Sequence, residues 1–304
     1  MRPALGLLVA GAVALGLPLV WGMAVEPYWL DCREEAARVP RLPPAWEGQR
    51  LALFGDLQVG MWLANLATVR RVVGRVIGAR PAAALLTGDF LYHAARGHER
   101  QVRTVVALLG PLPAAGIPTY AVLGNHDYPF ARPVPAPDRA ASARDLRAAL
   151  GASGVRVLLN EAVPLAPPRG AATTAAPNAA LYLVGIGAHI PGADAPAAAV
   201  TQVPPVAPRI VLMHNPESFR ALPAGTAPVA LAGHTHGGQI RVPFKPEWSG
   251  FAWLKRQARQ SDGWLADAGQ PGNHLYVNRG IGFSHVPLRF GCPPELTFLT
   301  LHAA

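Results

Sequence analysis

From about residue 50 onward, short apolar runs alternate with stretches of helical periodicity and with turns marked by glycine. Arg50–Gly55 (RLALFG) is apolar and ends at Asp56. Residues 62–79 then place Leu63, Leu66, Val69, Val73, Val76 and Ile77 at helical spacing, which predicts an amphipathic helix. Ala82–Thr87 (AAALLT) is a second apolar run and ends in Gly88-Asp89. Residues 98–110 again read as helix, and Thr119–Leu123 (TYAVL) ends in Gly124-Asn125-His126-Asp127. Strand, helix, strand, helix, strand is the pattern of βαβ units and a largely parallel sheet.

The second half continues in shorter pieces. A helix is predicted at about 141–151, with strands at 155–159, 161–165 and 181–187. Ile210–Met213 (IVLM) ends at His214, and Val229–Ala232 (VALA) ends at Gly233-His234. Leu275–Asn278 and Leu296–Leu301 read as late strands, and 244–272 as irregular. Residues 166–180 (APPRGAATTAAPNAA) are a low-complexity insertion, expected to be a flexible surface loop.

The N-terminus follows a different pattern. Residues 4–25 carry no charge, and about 20 apolar residues suffice to span a bilayer as a helix. Trp21, Tyr28 and Trp29 stand where interfacial aromatics belong. Residues 1–25 are therefore expected to form a single-pass anchor, residues 26–48 a linker, and residues 49–304 one domain. Arg2 precedes the run and Glu26, Asp31, Glu34 and Glu35 follow it, which favours an extracytoplasmic main domain and leaves the cytoplasmic side open. The alternative is a cleaved signal peptide, with Gly22-Met23-Ala24 as the small-x-small site.

Composition adds two constraints. With 51% hydrophobic and 15% charged residues in 304, intrinsic disorder of the whole chain is excluded. A net charge of +9, nearly all from arginine, points to anionic partners: phospholipid headgroups, phosphorylated substrates or nucleic acid. The chain lacks consecutive basic blocks and basic runs interleaved with aromatics, which argues against nucleic acid. No obligate protein partner is inferred. Cys32 and Cys292 form no C-x-x-C pair, which argues against a thiolate zinc site.

Five polar clusters each follow an apolar run: Gly55-Asp56-Leu57-Gln58, Gly88-Asp89, Gly124-Asn125-His126-Asp127, His214-Asn215 and Gly233-His234-Thr235-His236. Sites of α/β sheets collect beyond the carboxyl ends of strands, so these clusters are expected to converge. Asp, Asn and His together suit transition metals better than an all-oxygen site does. Two such cations can activate water and clamp phosphoryl oxygens, so no nucleophilic Ser or Cys is required.

These clusters, in this order, resemble the calcineurin-like metallophosphoesterase family, whose pattern runs D-x-H, G-D, G-N-H-D/E, a lone H, then G-H-x-H. The resemblance covers about residues 50–301. Gly233–Gln239 (GHTHGGQ), Tyr276–Pro294 (YVNRGIGFSHVPLRFGCPP) and the apolar start followed by Glu26-Pro27-Tyr28 resemble the membrane-associated branch. That branch holds YaeI-like and YkuE-like phosphodiesterases and a UDP-2,3-diacylglucosamine hydrolase.

The resemblance implies a four-layer α/β fold, two packed mixed sheets flanked by helices, here with one N-terminal transmembrane helix. It implies two divalent ions: Mn, Fe or Zn, with Mg possible at the first site. Asp56 and His236 would bind the first, Asp89 would bridge both, and Asn125, His214 and His234 would bind the second. His126 would stabilise or protonate the leaving oxygen, oriented by Asp127, while a metal-bridged hydroxide attacks phosphorus in line. The implied activity is hydrolysis of a phosphodiester, pyrophosphate or phosphomonoester, on a small-molecule or lipid-linked substrate at a membrane.

One position departs from the family pattern: Gln58 stands where it has His. A carbonyl oxygen is a harder, weaker ligand than imidazole, so the first site is expected to be weakened or shifted towards Mn or Mg. Two other readings remain open. One is a catalytically weak protein that holds a phosphorylated ligand or lipid, which Gln58 favours; the other is a nuclease. Arg279, in Asn278-Arg279-Gly280, is a candidate contact for a substrate phosphate, because guanidinium suits bidentate phosphate binding.

Overall fold

The computed structural model describes residues 16–63, 65–92, 98–129, 136–168, 170, 180–242, 245–249, 261–265 and 268–304. Residues 4–15 of the apolar segment, His93 and most of the 166–180 insertion lie outside the described residues.

The first half supplies β1 (Asp31–Val39), β2 (Arg50–Phe54), α1 (Leu66–Ala79), β3 (Ala83–Leu86), α2 (His98–Leu109), β4 (Thr119–Ala121), α3 (Ala136–Ala152) and β5 (Val155–Val157). The second half supplies β6 (Glu161–Pro164), β7 (Tyr182–Gly185), β8 (Arg209–Leu212), β9 (Ala230–Ala232), β10 (Arg241–Val242), β11 (Lys245–Ser249), β12 (Gly263–Leu265), β13 (Leu275–Val277) and β14 (Glu295–Ala303). Two six-stranded sheets result, in the orders β1-β14-β2-β3-β4-β5 and β12-β13-β9-β8-β7-β6. In the first, β2 to β5 run parallel, β14 is antiparallel to β2, and β1 is parallel to β14; in the second, β7, β8, β9 and β13 run parallel, with β6 and β12 antiparallel at the edges.

Alternation along the central strands explains the layering. Leu51, Leu53 and Leu85 of one sheet and Leu183, Ile210, Leu212 and Leu231 of the other form a single buried cluster between the sheets. The intervening residues Ala52, Phe54 and Leu86 face Val69, Val72 and Val76 of α1 and Val105 and Leu109 of α2. On the far side, Val184, Val211 and Ala230 pack against Ala199, Val200 and Phe219. Strands covered on both faces read as continuous apolar runs, as these do. Helix, sheet, sheet, helix is the expected four-layer α/β arrangement.

The 26–48 segment differs from the expected linker. Residues 31–39 form β1, paired in parallel with β14 from Asp31 opposite Glu295 to Val39 opposite Ala303. The strand is at a sheet edge and buries only Ala37 and Val39, so its charged sequence hides the alternation that marks inner strands. The stretch read as irregular over 244–272 contains β11, which pairs with β10, and β12, which pairs with β13.

The end of the apolar segment is helical over 16–25, finishing in a π-helical turn at Trp21–Val25. It is tied to the domain at several points. Arg289 N–H donates to the Gly22 carbonyl at 3.0 Å. The Glu26 carboxylate accepts from Trp21 Nε1 at 2.8 Å and from the Cys292 amide. The Pro27 carbonyl accepts from Asn65 and Thr68 at the start of α1. Among the described residues, no helix is long and apolar enough to cross a membrane.

Candidate metal centre

The parallel strands of both sheets deliver the predicted residues to one place. Asp56 and Gln58 follow β2, Asp89 follows β3, and Asn125 follows β4. His214 follows β8, and His234 and His236 follow β9. Ligand-atom positions on Asp89, His214 and His234 all lie within 4.8 Å of one another, and so do those on Asp56, Asp89 and His236. Asp89 belongs to both groups, so it stands between two potential cation positions. Asn125 joins the first group, with its Oδ1 2.9 Å from His214 Nε2.

The backbone is bent to achieve this. Asp56, Gln58, Asp89, His234 and His236 all have φ between +50° and +72°. Non-glycine residues rarely adopt this conformation, and it costs free energy unless the surroundings enforce it. Gly124 allows the close approach: a Cβ there would lie 2.2 Å from Asp89 Oδ1.

The groups present fit cations. His214 Nδ1–H donates to the Thr87 carbonyl at 2.7 Å, which turns Nε2 towards Asp89 and Asn125. His234 Nδ1 lies 3.2 Å from His214 Nε2, which brings two imidazole nitrogens to one region. His236 Nε2 lies 3.5 Å from Asp56 Oδ1, and buried His236 Nδ1 has no hydrogen-bond partner. Gln58 Nε2 donates to Asp89 Oδ2 at 2.9 Å, while its buried Oε1 has no partner. The same amide nitrogen is 3.4 Å from His236 Nε2. A 180° turn of the amide would aim the carbonyl oxygen at that position instead. Buried acceptors in excess of donors are costly unless a cation resolves them.

The electrostatics agree. Burial pushes the Asp56 carboxyl up to about 7. Burial also opposes ionisation of Asp89, but the His214 imidazole outweighs it and holds Asp89 below the usual carboxylate range. For His214, burial lowers the pKa and the Asp89 carboxylate reverses that, raising it to about 9. Burial keeps His236 well below the ordinary imidazole value. An uncharged His236 offers a lone pair to a metal.

His126 is half-buried at the edge of this cluster, its backbone N–H donating to Asp89 Oδ1 at 2.8 Å. Its imidazole is oriented differently from the expectation. Nδ1 faces the Tyr92 carbonyl at 2.7 Å, and the ring stacks on Tyr92. Asp127 instead accepts from the Leu91 and Gly124 amides, which ties the loop after β3 to the loop after β4. Burial, reinforced by the Asp89 carboxylate, pushes Asp127 up to about 7.

Arg279 is also placed differently. Its guanidinium is nearly fully buried and committed to Glu295, at 2.6 Å, and to Asp31. A carboxylate from each of β1 and β14 takes up the charge that a substrate phosphate would need. Cys32 is exposed, Cys292 is buried, and the two are not bonded.

Sequence reasoning missed three contributors. The Thr87 and Tyr92 carbonyls orient His214 and His126, and main-chain carbonyls leave no mark on residue type. Arg289, fully buried, donates to the carbonyls of Arg279, Gly280, Gly282 and Cys292. It thereby holds the loop whose Gly280 abuts Asp56, where a Cβ would lie 2.4 Å from Asp56 Cβ. A lone arginine between apolar neighbours was the available signal.

Comparison with known proteins places this arrangement. Residues 49–167 match the family described as Calcineurin-like phosphoesterase. The chain is 32% identical over 257 residues to phosphodiesterase YaeI of Escherichia coli, covering 83% of this chain and 82% of YaeI. It is 26% identical to the metallophosphoesterase YkuE of Bacillus subtilis, covering 97% and 94% of the two chains. It is 25% identical to the UDP-2,3-diacylglucosamine pyrophosphatase LpxG of Chlamydia muridarum, covering 96% and 95%. The chain thus belongs to the calcineurin-like phosphoesterase family and is a metallophosphoesterase, a hydrolytic enzyme with candidate ligands for divalent metals at the carboxyl edge of its paired sheets.

Proposed function

We propose that this protein hydrolyses a phosphodiester or pyrophosphate bond at a membrane surface, with two divalent cations as cofactors. The observation that carries this is the sharing of Asp89 between two groups of converging ligand atoms. Asp56, Gln58 and His236 would complete one cation site, and Asn125, His214 and His234 the other. When bound, such cations supply water activated at neutral pH and neutralise charge on the phosphoryl oxygens. The chain's own contribution is positional. The Thr87 carbonyl fixes the ring of His214. The Tyr92 carbonyl fixes Nδ1 of His126, whose imidazole would deliver a proton to the departing oxygen. Asp127 locks the loops that carry Asp89 and Asn125.

The membrane part rests on the apolar segment 4–25 as an anchor. Its last turns meet the domain at Gly22 and Glu26, beside the loop that Arg289 holds against Asp56. A lipid-linked substrate agrees with that anchor and with the UDP-2,3-diacylglucosamine pyrophosphatase activity for which LpxG is named. Gln58 favours a second reading, a weakly active protein that retains a phosphorylated ligand, because its amide nitrogen caps Asp89. Turnover of bis-p-nitrophenyl phosphate and of a lipid-linked pyrophosphate by the Mn-loaded full chain separates the two. Turnover abolished by Asp89→Asn supports hydrolysis, and phosphate binding without turnover supports the second reading.

A further inference from the structure

The loops that converge on the metal centre continue into exposed apolar residues. Trp62 and Leu63, four and five positions after Gln58, are 60% and 62% exposed. Ile240 and Val242 follow His236 and are also exposed, as is Val286 in the loop anchored by Arg289. The last two segments touch: Gln239 Nε2 donates to the Val286 carbonyl at 2.9 Å, and Arg241 N–H donates to the Phe290 carbonyl. Exposed apolar residues are unremarkable singly, but a set grouped on one edge marks an interaction surface.

The apolar N-terminal segment emerges at the same edge. Gly22 is bonded to Arg289, one residue after Leu288, and Pro27 is bonded to Asn65, two residues after Leu63. Trp21, Tyr28 and Trp29 are exposed there.

A basic groove completes the surface. A cavity of about 330 Å³ between α1 and α2 is lined by Arg70, Arg100 and Arg103, together with Thr104, Ala107 and Leu108. It adjoins the apolar loop, since Gly60 lies against Gln101 of α2. All three arginines are exposed, and the pair Arg103–Glu99, 3.5 Å apart on the surface, takes up little of this charge. Arg71, on the other flank of α1, holds the Tyr28 carbonyl.

We propose that this edge is a docking surface for an anionic bilayer. Trp62, Leu63, Ile240, Val242 and Val286 would enter the interface, and the Arg70–Arg100–Arg103 groove would take a lipid headgroup phosphate. The bilayer is the occupant that explains all three features together. An uncharged chain segment leads into this edge, aromatics sit at its boundary, and the groove beside them has the charge of a headgroup partner. In this orientation the metal centre opens towards the lipid surface. The proposal extends the anchor reading but does not rest on turnover.

Hydrogen exchange of the full chain tests it in three settings: neutral detergent, phosphatidylcholine nanodiscs, and nanodiscs containing phosphatidylglycerol. Each arginine near an anionic surface strengthens the docked state about fivefold. Exchange across 58–63 and 98–104 is therefore expected to be roughly tenfold or more slower in the anionic nanodiscs than in the other two settings. The combined variant R70E/R100E/R103E is expected to lose that difference while β2 and β4 keep their protection, which shows that it still folds. Equal exchange in the two kinds of nanodisc would overturn the proposal. So would equal protection by inorganic phosphate in detergent, which would make the groove a site for soluble anions. Diester turnover of the same preparation in detergent reports on the hydrolase reading separately.

Discussion

Gln58 donates its amide N–H to Asp89 Oδ2 at 2.9 Å and leaves its own Oε1 buried without a partner. The family pattern has an imidazole there. An amide carbonyl is a weaker ligand for borderline metals, so occupancy of the site containing Asp56 and His236 should be limited by this residue. Gln58→His is expected to tighten binding of the first-site ion and to shift preference from Mn towards Zn. Metal content after dialysis, with titration calorimetry for each ion, checks this. Identical content and affinity in both proteins would remove Gln58 from the site.

His126→Ala should leave metal content unchanged, because the imidazole lies outside both ligand groups. Loss of a positioned acid typically costs roughly 10²–10⁴-fold in kcat. Steady-state kinetics on a diester with a poor leaving group should show the full loss, and a diester with a good leaving group should show less. Equal losses on both would mean that His126 does not protonate the leaving oxygen.

Gly124→Ala should damage the centre through sterics alone. The added Cβ falls 2.2 Å from Asp89 Oδ1, and Asp89 is held by His126 N–H and Gln58 on either side. Overpacking of this kind costs about 1–3 kcal/mol. The variant should melt lower and should lose most of the Mn-induced rise in Tm shown by the parent. A variant with a full Mn-induced rise would show that the loop relaxes freely.

Asp31 on β1 and Arg279 form a strap across the edge of the first sheet, in which Glu295 takes part. Burial raises the Asp31 pKa, but Arg279 and then Arg33 outweigh it and hold the carboxyl below its ordinary value. A carboxylate depressed in the folded state stabilises fully above its unfolded pKa of about 4 and loses that contribution as pH falls through the folded value. Denaturation of the parent between about pH 5 and pH 2 should therefore be steeper than that of Asp31→Asn. Parallel stability curves would show that the strap contributes nothing at equilibrium.

Much of this architecture was legible because its signals are local. An apolar run ending in Gly-Asp or Gly-Asn-His-Asp states both the strand and the turn that aims the side chain. Asp56, Asp89, Asn125, His214, His234 and His236 all met at the sheet edge, as the order of these runs implied. What escaped depends on distant partners. β1 is charged because only one of its edges is paired. Arg279 reads like a phosphate ligand until Glu295 and Asp31 come beside it through β14 and β1. Asp127 is next to His126 in the chain, yet its oxygens turn to amides in two loops, and the carbonyl of Tyr92 takes the imidazole.

The central claim is a working two-cation hydrolase, and metal content measured together with diester turnover on the full chain tests it most directly. Near two divalent ions per chain are expected, falling together with turnover when Asp89, shared by both groups, is replaced by Asn. One ion or none in the parent, with no turnover of diesters or pyrophosphates under any divalent metal, would contradict it.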